Sequence, residues 1–551
     1  MKKMGKLMIG LVGALFLSTL VVLGQAMPCH AQAKLVGNGA ISGDLLGFSV
    51  STSGGRVVVG APGDQGDTGA AYVFWYDGST WIEEEKLTAK DGVPFDYFGW
   101  SVSISGDTIV VGAFGDEYSQ GSAYVFRYNG SSWIQEAKLV ASDGVSPDNF
   151  GYSVSISVDT IAVGAFGKND FTGVAYVFRY SSTGWGEEGK LTPTDGAPGD
   201  LFGMSVSMSG NKIAVGSPYG DANDFNQDSG AAYVFRRDGA VWTQEAKLVA
   251  ADPDLYDSFG ASVSLSGSKA VVGAPSDDGL TGSAYVFKYD GATWAQEAKL
   301  TSSAPVASDR FGASVSISGN RIVAGVPEDD DKGTNSGSAY AFKFDGTGWV
   351  EELGLTASDG TEYDYFGPSV SISENTIVIG STGNESDRGA AYVFILEEEP
   401  SVELYVDIRP GSCVNPLNPR SQGVLPVSIL GTENFDVKTI DPRSIRLSRE
   451  GVDGEVAPIR GHYGDVGNPG QCEPATYYEC LRDGYRDLIL MFKTQQLVKA
   501  LSLWDVAGET VTLTLTVDLK EEFGGTALSA QDDVKVLGKK PKPKPPKKPK
   551  K

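Results

Sequence analysis

The densest run of metal-type oxygen ligands in this chain is at residues 221–228, Asp-Ala-Asn-Asp-Phe-Asn-Gln-Asp. Calcium takes roughly six to eight oxygens in a flexible loop. The run therefore predicts a Ca2+ site built from Asp221, Asn223, Asp224, Asn226 and Asp228. Glu-Asp-Asp-Asp at 328–331 is a second, shorter run. A third, Glu479, Asp483 and Asp487 with Gly484, imitates part of a calcium loop but puts Leu481 where a ligand is wanted. Catalytic chemistry has less to draw on. Residues 34–397 contain no histidine and no cysteine, which removes His-based triads and Cys nucleophiles from that region. Carboxylate pairs are plentiful, but chance pairs carry no chemistry until geometry selects one. Tyr97, Tyr256 and Tyr365 stand among acidic loop residues, a mixture suited to cationic protein patches or to sugars. The same aspartates also stabilise turns through their own backbone, which accounts for most of them.

These residues are positioned by a repeat. Its opening dipeptide stands at Leu46-Gly47, Phe98-Gly99, Phe150-Gly151, Phe202-Gly203, Phe259-Gly260, Phe311-Gly312 and Phe366-Gly367, spaced by 52, 52, 52, 57, 52 and 55 residues. Each copy predicts four strands. Ser101–Ser105 alternates small polar and apolar residues with strand period. A β-branched run at 108–111, an aromatic run at 124–128 and Trp133–Leu139 follow, joined by Gly- and Asn-containing hairpin turns. Seven copies of four strands predict a seven-bladed β-propeller. The seventh copy has no Trp strand, but Ala33-Lys34-Leu35 precedes Leu46 by the interval that separates Ala137-Lys138-Leu139 from Phe150. The N-terminus should therefore supply the missing strand and cover an open edge. On this fold the second-to-third loops and the blade-to-blade loops share one face, with the aspartates and the three tyrosines on it. The fourth-strand tryptophans (Trp81, Trp133, Trp185, Trp242, Trp294, Trp349) read as rim packing, with a sugar platform as the alternative.

Phe-Gly, Gly-Ala-Pro (Gly60-Ala61-Pro62, Gly273-Ala274-Pro275) and Ala-Tyr-Val-Phe resemble the FG-GAP repeats of bacterial secreted proteins, related to the propeller of integrin α-subunits. The resemblance covers residues 34–397 and implies the propeller fold. Integrin repeats that bind calcium carry an Asp-x-Asp-x-Asp-Gly loop between the first and second strands. Here that loop is Ser105-Gly106-Asp107 or Ser318-Gly319-Asn320, so those calcium sites are not carried over.

Residues 1–33 read as a secretory signal: Lys2, Lys3 and Lys6, an apolar stretch, and an Ala31-Gln32-Ala33 cleavage motif. No second long apolar run follows, so a soluble exported protein, secreted or at the cell surface or in the periplasm, is expected. Residues 398–402 read as a linker and 403–537 as a β-sandwich-like domain, with strands at 404–408, Val424–Leu430, 488–492 and 510–517. The segment Val406-Asp407-Ile408-Arg409-Pro410-Gly411 resembles an accessory domain of secreted bacterial proteins. Residues 538–551 read as a solvated Lys/Pro tail. In an oxidising compartment one disulfide is expected among Cys413, Cys472 and Cys480, with the pairing open.

The formal charge is −25; setting aside three leader lysines and eight in the tail leaves −36 on the body. So acidic a body excludes nucleic acid as a partner. The leading expectation is a monomeric, non-enzymatic binding or adhesion protein whose long-loop face meets a protein or glycan. The alternatives are a polysaccharide-active enzyme using carboxylates or a cation, and a structural spacer of the cell envelope.

Overall fold

A computed structural model describes residues 30–221, 228–396, 404–408, 415–432, 435–464, 485–520 and 527–538. The chain divides into two compact units, Met1–Glu397 and Glu398–Lys551.

The first unit is a ring of seven four-stranded antiparallel sheets. In blade two the strands are Ser101–Ser105, Thr108–Ala113, Ser122–Tyr128 and Trp133–Leu139, paired in that order. The serine strands touch their neighbours around the axis, so they are innermost. Their alternation has a cause beyond pleating. An innermost strand is a sheet edge, and its free N–H groups need acceptors. The preceding blade supplies them: Ile104 N–H donates to Ser51 Oγ (3.1 Å) and Ile156 N–H to Ser103 Oγ (3.1 Å). In return Ser49 Oγ donates to Gly99 O (2.9 Å) and Ser101 Oγ to Gly151 O (2.9 Å). The pattern runs round the ring and crosses its joint, where Ser369 Oγ donates to Gly47 O (2.7 Å) and Thr52 N–H to Ser371 Oγ (3.1 Å).

The joint is closed as the repeat spacing requires. His30–Leu35 pairs antiparallel with Ala390–Ile395, with Leu35 opposite Ala391, Lys34 opposite Tyr392 and Ala33 opposite Val393. Leu139, Lys138 and Ala137 face Ala123, Tyr124 and Val125 in the same register. Gln32 adds an amide clamp, accepting the Ser358 N–H (2.9 Å) and donating to Thr356 O (3.1 Å). This strand includes the Ala31-Gln32-Ala33 motif that reads as a cleavage site.

Blades meet through the Phe-Gly dipeptide. Phe98 is fully buried and stands edge-on to Tyr124 (5.5 Å) and Phe126 (5.9 Å). Gly99 has φ +94°, and a Cβ there would lie 2.1 Å from Ala70 O. Only glycine permits that approach. At the rim, Trp133 Nε1 donates to Glu84 of the preceding blade (3.0 Å), a latch repeated from Trp185 to Glu136 and from Trp294 to Glu245. The tryptophans are thus rim packing, with polar ends tied across blades.

The second unit has two sheets around one core cluster that includes Val427, Phe492, Leu447 and Leu515. One sheet orders Tyr405–Ile408, Val424–Leu430, Asp487–Lys493 and Arg460–Gly464. The other orders Asn415–Leu417, Ala527–Val536, Thr510–Asp518, Arg446–Arg449 and Glu455–Val456. Five of these nine strands were not foreseen. Arg460–Gly464 is mostly exposed and shows no apolar period, while Ala527–Val536 does alternate, with Leu528, Ala530, Val534 and Val536 on the core side, but Asp532 interrupts that apolar face.

Candidate binding face of the propeller

Two loop families meet on one face. Parallel bridges join the end of each second-to-third loop to the next Phe-Gly, as in Gly69 to Phe98 and Gly121 to Phe150. In blades one, two, three, five and seven the second-to-third loop contains a left-handed turn; Glu117, Tyr118 and Ser119 have φ of 50°, 60° and 69°. Consecutive left-handed residues cost energy unless the surroundings hold them. Here the neighbouring loop does. Phe95 N–H and Tyr97 N–H both donate to Asp67 O (3.1 and 3.0 Å), and Phe98 N–H donates to Thr68 O (3.1 Å). Asp96 is buried behind this contact and accepts the Val93 N–H (2.7 Å). Asp44, Asp148, Asp200, Asp257, Asp309 and Asp364 repeat that cap. Burial pushes Asp44, Asp96 and Asp200 upward, and Asp257 and Asp309 up to about 6. These aspartates are turn formers.

A second set of carboxylates is neutralised by lysines. Lys138 Nζ lies 2.6 Å from Asp116 and 2.7 Å from Asp91, over the Tyr124 ring. Burial opposes the ammonium charge, but hydrogen bonds to both carboxylates outweigh it and raise the lysine well above its ordinary range. In blade three the Lys190 bond, then that of Tyr176, holds Asp143 down at about 2. Much of the face's acidity is therefore spent inside it.

The feature that the repeat does not demand is aromatic. Trp100 follows Phe98-Gly99 at the inner edge of blade two, and Phe114 directly follows its second strand. Phe48, Tyr152 and Phe166 are their equivalents in blades one and three. Phe48 and Trp100 centroids are 4.3 Å apart, Trp100 and Phe114 4.6 Å, Trp100 and Tyr152 5.4 Å, and Tyr152 and Phe166 4.6 Å. All five rings are half-buried. Their counterparts after Phe-Gly in blades four to seven are Met204, Ala261, Ala313 and Pro368. A continuous aromatic arc thus edges the mouth of the ring over three blades and stops.

Of the tyrosines singled out from sequence, Tyr97 joins this arc, stacked on Phe114 at 5.2 Å and 6°. It is half-buried, with φ 54°. Tyr256 is exposed in the loop before blade five, and Tyr365 is half-buried before blade seven, with Asn335 Nδ2 at 3.5 Å from its hydroxyl. No ring contact links the three, so the structure does not gather them into one cluster. Trp100 and Tyr152 stand in different repeats with no local signal joining them; their shared place directly after Phe-Gly is the pattern that links them.

Asn223, Asp224 and Asn226 of the predicted cation loop lie outside the described residues, as do Cys413, Cys472, Cys480, Glu479, Leu481, Asp483 and Gly484. At the loop's ends, Asp221 Oδ1 accepts the Asp228 N–H (3.0 Å), while Lys247 Nζ donates to Asp221 O (2.6 Å). Among the described residues no group of three or more Asp, Glu, His or Cys side chains is arranged to hold a metal. At the integrin-type position Ser101–Ser105 and Thr108–Ala113 are joined by a two-residue turn in place of an Asp-x-Asp-x-Asp-Gly loop.

A family model described as FG-GAP repeat matches the chain seven times, at residues 30–74, 81–126, 133–178, 185–235, 242–287, 294–342 and 349–394. Each match begins on a fourth strand and ends on the third strand of the next blade, the first beginning on the closing strand. No curated protein matches the chain.

Proposed function

The chain belongs to the FG-GAP repeat family, and on that premise we propose an exported, non-enzymatic binding or adhesion protein that presents the long-loop face to a protein or glycan. FG-GAP propellers are often binding modules, and no helix among the described residues is long and apolar enough to cross a membrane. The observation that carries the reading is the aromatic arc. Packing demands are the same in every blade, so a row of touching rings confined to three of seven is not required by the scaffold. Half-buried aromatics held at fixed spacing lose little side-chain freedom on binding, which favours them as anchors. Loops on a rigid frame are also where binding residues collect.

The test is a protein and glycan array probed with the soluble chain. Trp100→Ala and Tyr152→Ala should abolish capture of whichever ligand binds, and Tyr97→Ala should weaken it. The triple change Tyr97→Ala, Tyr256→Ala, Tyr365→Ala separates an extended footprint from the arc alone. Substitutions at the opposite turns, Asp107, Asn129 and Asn320, should leave capture unchanged. Loss at the turns with retention at the arc refutes the face assignment, and product formation from a glycan refutes the non-enzymatic part.

A further inference from the structure

Six blades share one internal contact that the sixth in chain order lacks. The residue before the fourth-strand leucine is lysine in five of them, and Lys34 fills the place in blade seven from the closing strand. Each lysine lies against the third-strand tyrosine ring, from 5.1 Å for Lys86 over Tyr72 to 5.8 Å for Lys34 over Tyr392. Its Nζ meets a loop carboxylate at hydrogen-bond distance: Lys86 on Asp64 at 2.6 Å, Lys299 on Asp277 at 2.8 Å, Lys34 on Asp359 at 2.7 Å.

In blade six that lysine position is Gly354, at the end of Trp349–Leu355. The ring and the carboxylate are kept. Tyr340 stands opposite Gly354 in the register of Tyr124 opposite Lys138, and Asp329 holds the loop position of Asp64 and Asp116. Asp329 is buried; its oxygens take the Ser338 hydroxyl and the Asp331 N–H (2.8 Å), and among the described residues it forms no ion pair. Asp116 accepts both Ser122 and Lys138, so a serine partner does not displace an ammonium. Tyr340 is 7% exposed, against 0–1% for its six counterparts. A Cβ on Gly354 would sit 3.6 Å from Tyr340 Cε1, an ordinary contact, so the first carbon of a side chain fits against the ring there. Ala304 replaces the second loop aspartate of other blades, which leaves one carboxylate for one positive charge, as with Lys86 on Asp64 in blade one.

We propose that blade six binds a primary alkylammonium, laid along Tyr340 with its charge on Asp329, as Lys86, Lys138 and Lys299 lie on the aspartates of that loop position in their own blades. The ring face attracts a cation and the buried carboxylate gains the counter-charge it lacks. The acidic body favours a cationic partner over an anionic one. The ammonium comes either from a partner's lysine side chain or from a free amine. This deepens the reading of the long-loop face as the binding surface and rests on it, because the notch lies between the two loop families that form the face.

The probes are n-butylammonium, for a free amine, and N-acetyl-lysine N-methylamide, for a presented lysine, with n-butanol as the uncharged control. Ligand-observed NMR and the shift in Tm against matched sodium chloride read the binding. Either ammonium should bind, n-butanol should not, and Asp329→Asn should weaken binding by about tenfold or more. Because Asp329→Asn disturbs a buried cap, Gly354→Lys is the decisive variant. It supplies the missing ammonium from the chain itself, and should raise Tm while abolishing ammonium binding. Binding of the lysine probe alone assigns the site to a partner's lysine, and equal binding assigns it to any primary amine. Unchanged binding in Gly354→Lys, or no binding of either probe, overturns the proposal. If Gly354→Lys still captures the array ligand while Trp100→Ala does not, the binding face stands and the amine role in that capture falls.

Discussion

Closure by the N-terminal strand can be tested at one side chain, with the other blades as internal controls. Leu35 is 3% exposed and packs with Val50, Tyr72, Val378, Ala391 and Val393, across blades seven and one. Leu139 is 4% exposed at the same register in blade two. Truncating a buried leucine to alanine costs about 2–5 kcal/mol, the lost transfer energy plus the cavity left behind. For a unit this large, about 1 kcal/mol moves Tm by roughly 2 °C, so Leu35→Ala should lower it by about 4–10 °C. Leu139→Ala should give a shift of the same size. Lys34→Met removes ion pairs to Asp359 and Glu385 that are partly exposed, and should cost about 1 kcal/mol or less. Deleting residues 30–35 removes all of these at once and bares the edge of Ala390–Ile395, so dimers should appear as Tm falls. Differential scanning calorimetry and light scattering read both outcomes. The reasoning fails if Leu35→Ala melts with the wild type while Leu139→Ala does not, because the strand would then not belong to the cooperative unit.

Gly112→Ala puts a Cβ 1.9 Å from the Gly151 carbonyl of the next blade; it should destabilise by about 3 kcal/mol or more, measured by chemical denaturation. Glu84 accepts from Trp133 Nε1 (3.0 Å) and Arg56 Nε (3.1 Å), so Glu84→Ala, which leaves the guanidinium with only the exposed Asp107, should cost about 1–3 kcal/mol, and Glu84→Gln clearly less. Burial raises folded Asp309 to about 6 from an ordinary 3.8, helped by Asp329, Asp330 and Asp331. The folded state then holds a proton that the unfolded chain has lost, so its contribution to stability is full below about pH 4 and is lost as pH rises through about 6. Asp309→Asn keeps an acceptor for the Val306 N–H without titrating, and should flatten that part of the denaturation-midpoint profile between pH 4 and 6.5. A profile parallel to the wild type over that window would contradict the assignment. N-terminal sequencing of exported protein should find a chain that begins at or before Gln32, because cleavage after Ala33 would remove the Gln32 clamp on Thr356 and Ser358.

The propeller was legible because its constraints recur. Ser101–Ser105 and Trp133–Leu139 fall where period-2 patterning places them, and closure follows from one repeated interval. The inner serines show where such reading ends. Their alternation predicts a strand, but that Ser51 serves the Ile104 N–H is a fact about neighbouring blades and leaves no local trace. The left-handed turn at Glu117, Tyr118 and Ser119 was equally hidden, since none of those residues prefers positive φ; contacts from the next loop impose it. In the second unit, Asn415–Leu417 contains a proline and pairs parallel with a strand more than a hundred residues away, beyond any short-range signal.

The candidate sites emerge from the same repetition by a different route. Individual loop aspartates and tyrosines look promising in sequence, yet Asp96 caps a backbone N–H and Asp116 holds a lysine, duties repeated from blade to blade. Repetition of that kind is what a scaffold requires. A position that departs from its six equivalents has escaped the scaffold's demand, and carries a cost or an exposure that the fold does not need. Trp100 and Tyr152 stand where blades four to seven have methionine, alanine or proline, at an inner edge that packs without aromatic rings. Gly354 gives up an ion pair that six other blades keep, and leaves Asp329 buried with no cation among the described residues. The two departures lie on one face and differ in chemistry: rings without charge in blades one to three, a carboxylate behind a ring in blade six. A ligand that meets both needs an apolar or sugar-like surface and a positive charge set apart from it. A protein surface with an aromatic or aliphatic patch and a flanking lysine has both, whereas a neutral glycan reaches only the arc. Array hits that are protein and lose affinity in both Trp100→Ala and Gly354→Lys would join the two sites into one footprint; hits sensitive to Trp100→Ala alone would confine recognition to the arc.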